Sequence, residues 1–381
     1  MAKTNPLYKP KAGKTAEQVA IEEFMNTIPP ECVIEGDQVI DNTITEVIDT
    51  PDVSLDPIVD SVDVAEQLDA LAEDADGITT APALESYKRI FTQLSTLGGW
   101  PHSHSMEEFK NTKGGVRRFT RAIREHADHI RSTAVGSLEG YADRVDESVG
   151  TMMSNYKQAL GKLNAIKSNM HNTKNRIVLV NQKEAWQLFH MRNELMDMSQ
   201  FDMEIKGIKD LEALIAEGMG KVRKMAENGA DGKALSKFLN IMLMNNTTVK
   251  VKDGRAYFEE IDVDAPMKEW TSTDWPIHLA YALVNKNYRG GKGDELTVIP
   301  ESTKTFGQVI EKVKGLGPVM AKLEKDVDEL TKFIKGLPDD KRGNIEKAAS
   351  PVLELAANTI KHVTEVTYGI MKMFSRMGQE K

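Results

Sequence analysis

Two apolar stripes near the C-terminus constrain this chain more than any other feature. Met320, Leu323, Val327, Leu330 and Ile334 recur at steps of three and four. After the polar stretch Gly336–Gly343 the series resumes as Ile345, Ala349, Val352, Ala356, Ile360, Val363, Val366, Ile370, Met373 and Met377. That spacing lines one face of an α-helix. Two such faces joined by a short Pro/Gly connection predict an antiparallel helical hairpin. Gly315, Gly317 and Pro318 stop the first stripe from running further back. A third series, Val145, Val149, Met152, Tyr156, Leu160, Leu163, Ile166 and Met170, predicts another long helix. Further helices are expected from Ser86, from about Gly115, and over 180–200, 208–227, 233–245 and 270–287. Residues 247–262 depart from the pattern, because Thr247–Phe258 alternates about Asp253-Gly254, a strong hairpin signal. Aromatic residues make up only 6% of the chain while Met occurs 19 times, which suits gap-filling between packed helices.

Charge divides the chain a second way. From Thr15 to Tyr87 there is no Lys or Arg, yet there are 19 Asp or Glu, and the first fourteen residues hold four Lys and no acid. Residues 1–85 therefore carry −15, and the remaining 45 basic and 39 acidic residues leave the rest at +6. No aromatic occurs between Phe24 and Tyr87. High net charge with little apolar surface to bury reads as disorder, since burial cannot offset chain entropy. Within this leader Thr15–Asn26 is expected as a short helix and Ala65–Ala75 as transiently helical. The expected fold class is mainly α: a multi-helix body with a small β-hairpin insertion and a C-terminal antiparallel helical hairpin, preceded by a disordered acidic leader. The domains expected are the leader or propeptide, 1–85, the helical body, 86–300, and the hairpin, 301–381.

Several function classes lose their footing. The single cysteine, Cys32, excludes intrachain disulfides and multi-cysteine metal sites. The N-terminus has lysines but no apolar stretch after them, so it does not read as a secretory signal. No apolar run approaches the ~20 residues of a membrane helix. Gly290–Asp294 lacks the first spaced glycine and the Ser or Thr of a phosphate-binding loop. His102-Ser103-His104 offers two imidazoles but no third ligand nearby. No nucleophile motif stands out. The expectation is a non-enzymatic protein with no cofactor and no metal.

Arginines are the exception to this chemical silence. Arg117, Arg121 and Arg124 lie at i, i+4 and i+7, joined by Lys110, Lys113, Arg118 and Arg131. A basic helical face neutralises phosphates in a salt-dependent way. A solubilising surface, or a dock for an acidic partner such as the leader itself, explains it as well.

At the charge boundary stands Ala83-Leu84-Glu85-Ser86, a small residue, any residue, then Glu. The same tripeptide type recurs at Ser105-Met106-Glu107 and Ser137-Leu138-Glu139. An acidic leader ending in this motif, followed by Ser86-Tyr87-Lys88-Arg89-Ile90-Phe91 and a slightly basic helical body, resembles the internal head proteins of phiKZ-like giant tailed bacteriophages. The resemblance is one of organisation. It implies a propeptide removed by a prohead protease after Glu85, with Ser86 as the mature N-terminus. It also implies residence in the virion interior beside other capsid or inner-body proteins and packaged DNA, passage through the host cytoplasm during assembly and after ejection, and no membrane partner. Local helical contacts would favour quick refolding after ejection. The competing expectation is a cytoplasmic helical adaptor whose acidic tail is retained and binds a basic partner. An enzyme built on 86–300 is the third.

Overall fold

The computed structural model describes residues 15–28, 53–97, 99–170, 190–191, 194–195, 198–228, 247–252, 255–260, 279, 283 and 303–377. These are mainly helical, as the apolar spacing requires. The helices are α1 (Ala16–Met25), α2 (Asp56–Ala75), α3 (Ala81–Leu97), α4 (Lys113–Gly136), α5 (Tyr141–Met170), α6 (Met198–Asn228), α7 (Thr303–Lys314), α8 (Gly317–Lys335) and α9 (Asp339–Met377).

Four of them form a bundle whose directions follow from their cross-contacts. Lys335 pairs with Asp143 and Lys157 with Glu324, so α8 runs antiparallel to α5. The Ala142 N–H donates to Glu346 and Thr364 Oγ1 to the Met152 carbonyl, so α9 runs parallel to α5. Glu204 meets His362, and Gly218 abuts Val352, which sets α6 antiparallel to α9. Lys322 pairs with Glu212 and Arg223 with Glu329, leaving α6 and α8 parallel. Parallel neighbours cannot be joined by a tight turn, so a long stretch of chain has to separate α6 from α8.

The bundle core centres on α9. Residues 348–360 of this helix are buried without interruption, a pattern that belongs to a helix enclosed on all sides rather than laid on a surface. Pro351 lies inside it. Its missing N–H leaves the carbonyl four residues back without its usual donor. Thr359, Thr364 and Thr367, all buried, turn their hydroxyls onto the carbonyls of Leu355, Ile360 and Val363.

A second, smaller core lies among α2, α3 and α4. Leu68, Leu84, Phe91, Phe119, Ile123 and Ile130 meet there, each at most 1% exposed. Ring contacts between Phe91 and Phe119 and between Phe109 and Phe119 close it.

The expectation of a structureless leader is corrected wherever the leader is described. α1 starts with a reciprocal capping box between Thr15 and Gln18. Its Phe24 ring lies against α8 at Gly317, where a β-carbon would stand 2.3 Å from the ring, and it sits 5.9 Å from the Tyr156 ring. α2 is a full helix rather than a transient one, with Ala65, Leu68, Ala72 and Ala75 at helical spacing on its buried side. Just ahead of α2, Val53 and Leu55 belong to the bundle core. The Val53 carbonyl accepts from Tyr141 Oη at 2.6 Å, and the Leu55 N–H donates to Glu354 at 2.8 Å. Composition averaged over the leader missed this because the hydrogen-bond partners of Val53 and Leu55 lie about 90 and 300 residues away, and the apolar partners of α2 lie in α4. Residues 1–14 and 29–52 lie outside the described residues. The 85/86 domain boundary falls inside α3, and the division by cores places residues 65–130 in one unit and α5 to α9 in the other.

Two local strand pairs complete the described structure. His190–Met191 (β1) pairs with Glu194–Leu195 (β2), and Thr247–Lys252 (β3) with Arg255–Glu260 (β4), both antiparallel. Each strand pairs only with its neighbour, and nothing described ties the β3–β4 ladder to the helical body as an insertion. The helix expected over 180–200 is corrected at residues 190–191 and 194–195, which pair as strands across a tight reversal, and residues 198–200 open α6. The rest of it, 233–245 and most of 270–287 lie outside the described residues.

Leu55 is 2% exposed, so Leu55→Ala is expected to lower the unfolding free energy by about 2–5 kcal/mol. Urea denaturation of the full chain measures this. A change within ~0.5 kcal/mol, the usual range for a surface site, would remove the leader from the bundle core.

Candidate nucleic-acid interface and leader junction

α4 carries the basic residues on a stripe beside its apolar face. Its first turn is capped by Thr112, whose Oγ1 accepts from the Gly115 N–H at 3.0 Å. A β-carbon at Gly115 would lie 2.0 Å from the Lys110 carbonyl oxygen, so only glycine lets the Lys110 backbone lie against the helix start. Beyond it, Lys113, Arg117, Arg121, Arg124 and Arg131 fall within an arc of roughly 80° at 3.6 residues per turn, along about 27 Å of axis. Arg118 lies outside that arc.

The stripe has two halves. Lys110, Lys113, Arg117, Arg118 and Arg121 are exposed, and none has an ion pair among the described residues. Arg124 and Arg131 are engaged by the acidic leader: Arg124 donates to Asp76 at 2.9 Å, and Arg131 pairs with Asp69 and, at 2.9 Å, with Asp128 on its own helix. Since residue 69 meets 131 and residue 76 meets 124, α2 runs antiparallel to α4. Both pairs are partly solvated, so each is worth about 0.2–1 kcal/mol. The apolar face of α2 carries the docking, and the carboxylates choose its angular position. The sequence showed the arginines, and also the possibility that the leader was their partner. It did not show Asp69 and Asp76, because nineteen acids offered no ground for choosing two.

The junction residues sit inside a helix. Ala83, Leu84, Glu85 and Ser86 belong to the first turns of α3. Leu84 is 1% exposed. Glu85 and Ser86 face solvent, with Glu85 bonded to the buried Lys88 at 2.7 Å and Ser86 Oγ donating to the Pro82 carbonyl at 3.1 Å. The tripeptide Ser105-Met106-Glu107 enters a single 3₁₀ turn, Met106–Glu108, whereas Ser137-Leu138-Glu139 forms the α4–α5 turn with Leu138 buried. Arg144 donates to the Ser137 and Glu139 carbonyls there.

His102 and His104 are held by their surroundings rather than aimed at a common point. The His102 ring stacks on Phe91 at 4.7 Å, with Nδ1 3.0 Å from the His104 carbonyl. His126 Nε2 lies 2.9 Å from the Trp100 carbonyl, a contact in which the ring nitrogen donates, and the ring sits edge-on to Phe91. Burial lowers the His126 pKa, the Trp100 hydrogen bond opposes that, and His102, His129 and His104 lower it further. No group of three or more His, Cys, Asp or Glu side chains converges among the described residues.

One polar site inside the bundle had no counterpart in the sequence reading. Glu204, 1% exposed, meets His362 Nε2 at 2.5 Å, and its second carboxylate oxygen has no hydrogen-bond partner among the described residues. An acid among Phe201, Ile205 and Ile208 was the available signal. No helix among the described residues is long and apolar enough to cross a membrane. No family model, curated protein or solved structure matches this chain.

The lowered His126 pKa has a defined sign. The unfolded chain binds that proton more tightly, so the His126 contribution is complete above the ordinary histidine range and is lost as pH falls through it. Stability of the full chain minus that of His126→Gln is therefore expected to shrink from about pH 7 to about pH 5. Urea unfolding across that range tests it, and parallel profiles would rule His126 out as the titrating group.

Proposed function

We propose that this chain is a non-enzymatic internal head protein of a giant tailed phage. In this reading a prohead protease removes residues 1–85 after Glu85, and the mature body lies in the capsid interior with other inner-body proteins and packaged DNA. Ejection then carries it into the host cytoplasm. The β3–β4 ladder is a small insertion of the body, and residues 301–381 are its C-terminal helical hairpin. The observation carrying this reading is the docking of acidic α2 along basic α4 through Asp69–Arg131 and Asp76–Arg124. An acidic segment laid on a basic helix keeps it from phosphates until the segment leaves, which is the purpose an acidic propeptide would serve.

A second reading is favoured by a different observation. Proteases take their substrates as extended chain, but Glu85–Ser86 lies in α3 beside buried Leu84 and Lys88. An adaptor that keeps its leader would have no reason to expose that bond. For the first reading to hold, α3 must unwind at its start, or be cut before α2, α3 and α4 dock.

The test is the intact mass and N-terminal sequence of the protein taken from its native particle or cell. A chain starting at Ser86 is the expected result. A chain retaining residues 15–85 would sink the propeptide and leave the adaptor.

A further inference from the structure

The free and occupied halves of the α4 stripe belong to one surface. Lys113, Arg117, Arg121, Arg124 and Arg131 lie along one side of α4, and among the described residues the leader engages the far two. The uncovered end also carries Lys110 and Arg118 and the positive pole of the helix. Glu107 and Glu108 are the nearest acids in sequence before it, and Glu125 and Asp128 the first after it. About 27 Å of stripe at 1.5 Å per residue matches most of one duplex turn of ~34 Å. A duplex presents a phosphate charge every ~1.7 Å of its axis, so such a stripe meets several phosphates at once.

The geometry points to α2 and a nucleic-acid backbone as competitors for α4: Lys110, Lys113, Arg117, Arg118 and Arg121 form a standing phosphate-binding patch, and Asp69 of α2 and Asp76 at its C-terminal cap withhold Arg131 and Arg124 from it. The partner is identified by its chemistry. The patch has cations at regular spacing and no apolar or aromatic residue interleaved on the stripe, which suits a polyphosphate backbone read without sequence preference. The two leader carboxylates then act as a built-in phosphate mimic. Because their pairs are individually weak and half-solvated, they are displaceable at modest cost, whereas the apolar face of α2 holds the segment close enough to return. The chain thus has two binding levels, a weaker one with α2 docked and a stronger one with α2 released. This extends the proposed function by naming the DNA backbone as partner and α2 as its regulator, and it rests on that reading only for the event that releases α2.

The experiment uses the full chain and a fluorescently labelled 30-bp duplex of arbitrary sequence, titrated from 50 to 200 mM salt. Five free cations give an expected slope of log K against log salt of about −4.5 at 0.9 per phosphate neutralised. In Asp69→Asn/Asp76→Asn the slope should steepen by about 1–2 and the affinity at 50 mM salt should rise at least tenfold, since two more arginines become available. Arg117→Glu/Arg121→Glu should abolish binding in either background. Hydrogen exchange of α2 in the unmutated chain supplies the measurement that survives misfolding of a variant: amide exchange there should accelerate when duplex is added.

Three results would overturn the inference. One is binding indifferent to Arg117→Glu/Arg121→Glu, and another is a double Asp variant with unchanged affinity and slope together with unaltered α2 exchange on DNA. The third is a patch that takes an acidic peptide but not the duplex. A chain matured at Ser86 that ignores DNA would defeat this inference and keep the proposed function. A chain with an intact N-terminus that binds DNA as described would do the reverse.

Discussion

Residues 348–360 of α9 have no solvent face, so every polar group they carry must find its partner inside the protein. Threonine hydroxyls do this within the helix, bonding carbonyls four residues back. Carboxylates cannot. Glu354 takes a backbone N–H from Leu55, and Glu346, just before the sealed stretch, takes one from Ala142. Burial raises the Glu346 pKa, and the Ala142 N–H pulls it back toward its usual range. Leaving such a group without its donor costs about 1–3 kcal/mol. The Val53–Leu55 segment is therefore held by the needs of a helix nearly 300 residues later, and α2, which starts directly after it, is held in turn. Once Leu55 is in the bundle, α2 must start there.

From that start α2 is shared between two cores. Its first turn is tied to the bundle and its body packs on α4, so one helix holds the small unit to the large one. A segment with acids every two or three residues tolerates this because they lie on its outer side. Glu66, Glu73, Asp74 and Asp76 are exposed, while Ala65, Leu68, Ala72 and Ala75 face inward. Among the described residues of the leader, Asp69 and Asp76 are the acids placed against cations of α4. The acidity of the leader and the basicity of α4 are thus complementary over half a helix and unmatched over the other half. That mismatch leaves Lys113, Arg117 and Arg121 without an acidic partner among the described residues while α2 is still docked.

Much of the architecture was legible from spacing. The stripes over 145–163 and 320–334 became the inner faces of α5 and α8, and the capped N-terminal helix appeared within a residue of its expected start. α9 was legible only in part. The stripe through Ile345, Ala349, Val352 and Ile360 marks one face, but Leu353, Leu355 and Ala357 are buried too. Periodicity reads one face and cannot announce a helix enclosed on every side. The described parts of the leader, 15–28 and 53–85, were misread for a different reason. Ala65, Leu68, Ala72 and Ala75 step by three and four, yet four small aliphatics cannot hold a helix alone, and the faces of α4 and the bundle that complete the burial are invisible to segment composition. At the site, the arginine spacing was readable and its pairing with two particular carboxylates was not, since that choice depends on how α2 is rotated.

The same long-range dependence changes what can be said about refolding. Helices usually fold quickly because their contacts are local, and the sequence suggested a body of that kind. In this bundle, however, the principal partner of α5 is α9. The bonds joining them connect Ala142 to Glu346 and Met152 to Thr364, more than 200 residues apart. The leader adds Leu55 to Glu354, 299 residues apart. Closing loops of that length costs entropy before any contact repays it. The helices can form early, but enclosing α9 requires α5, α6 and α8 to assemble around it across those separations. A full chain refolding from the unfolded state would wait on that step, and the small core among α2, α3 and α4, whose buried residues all fall within 65–130, would regain its packing first.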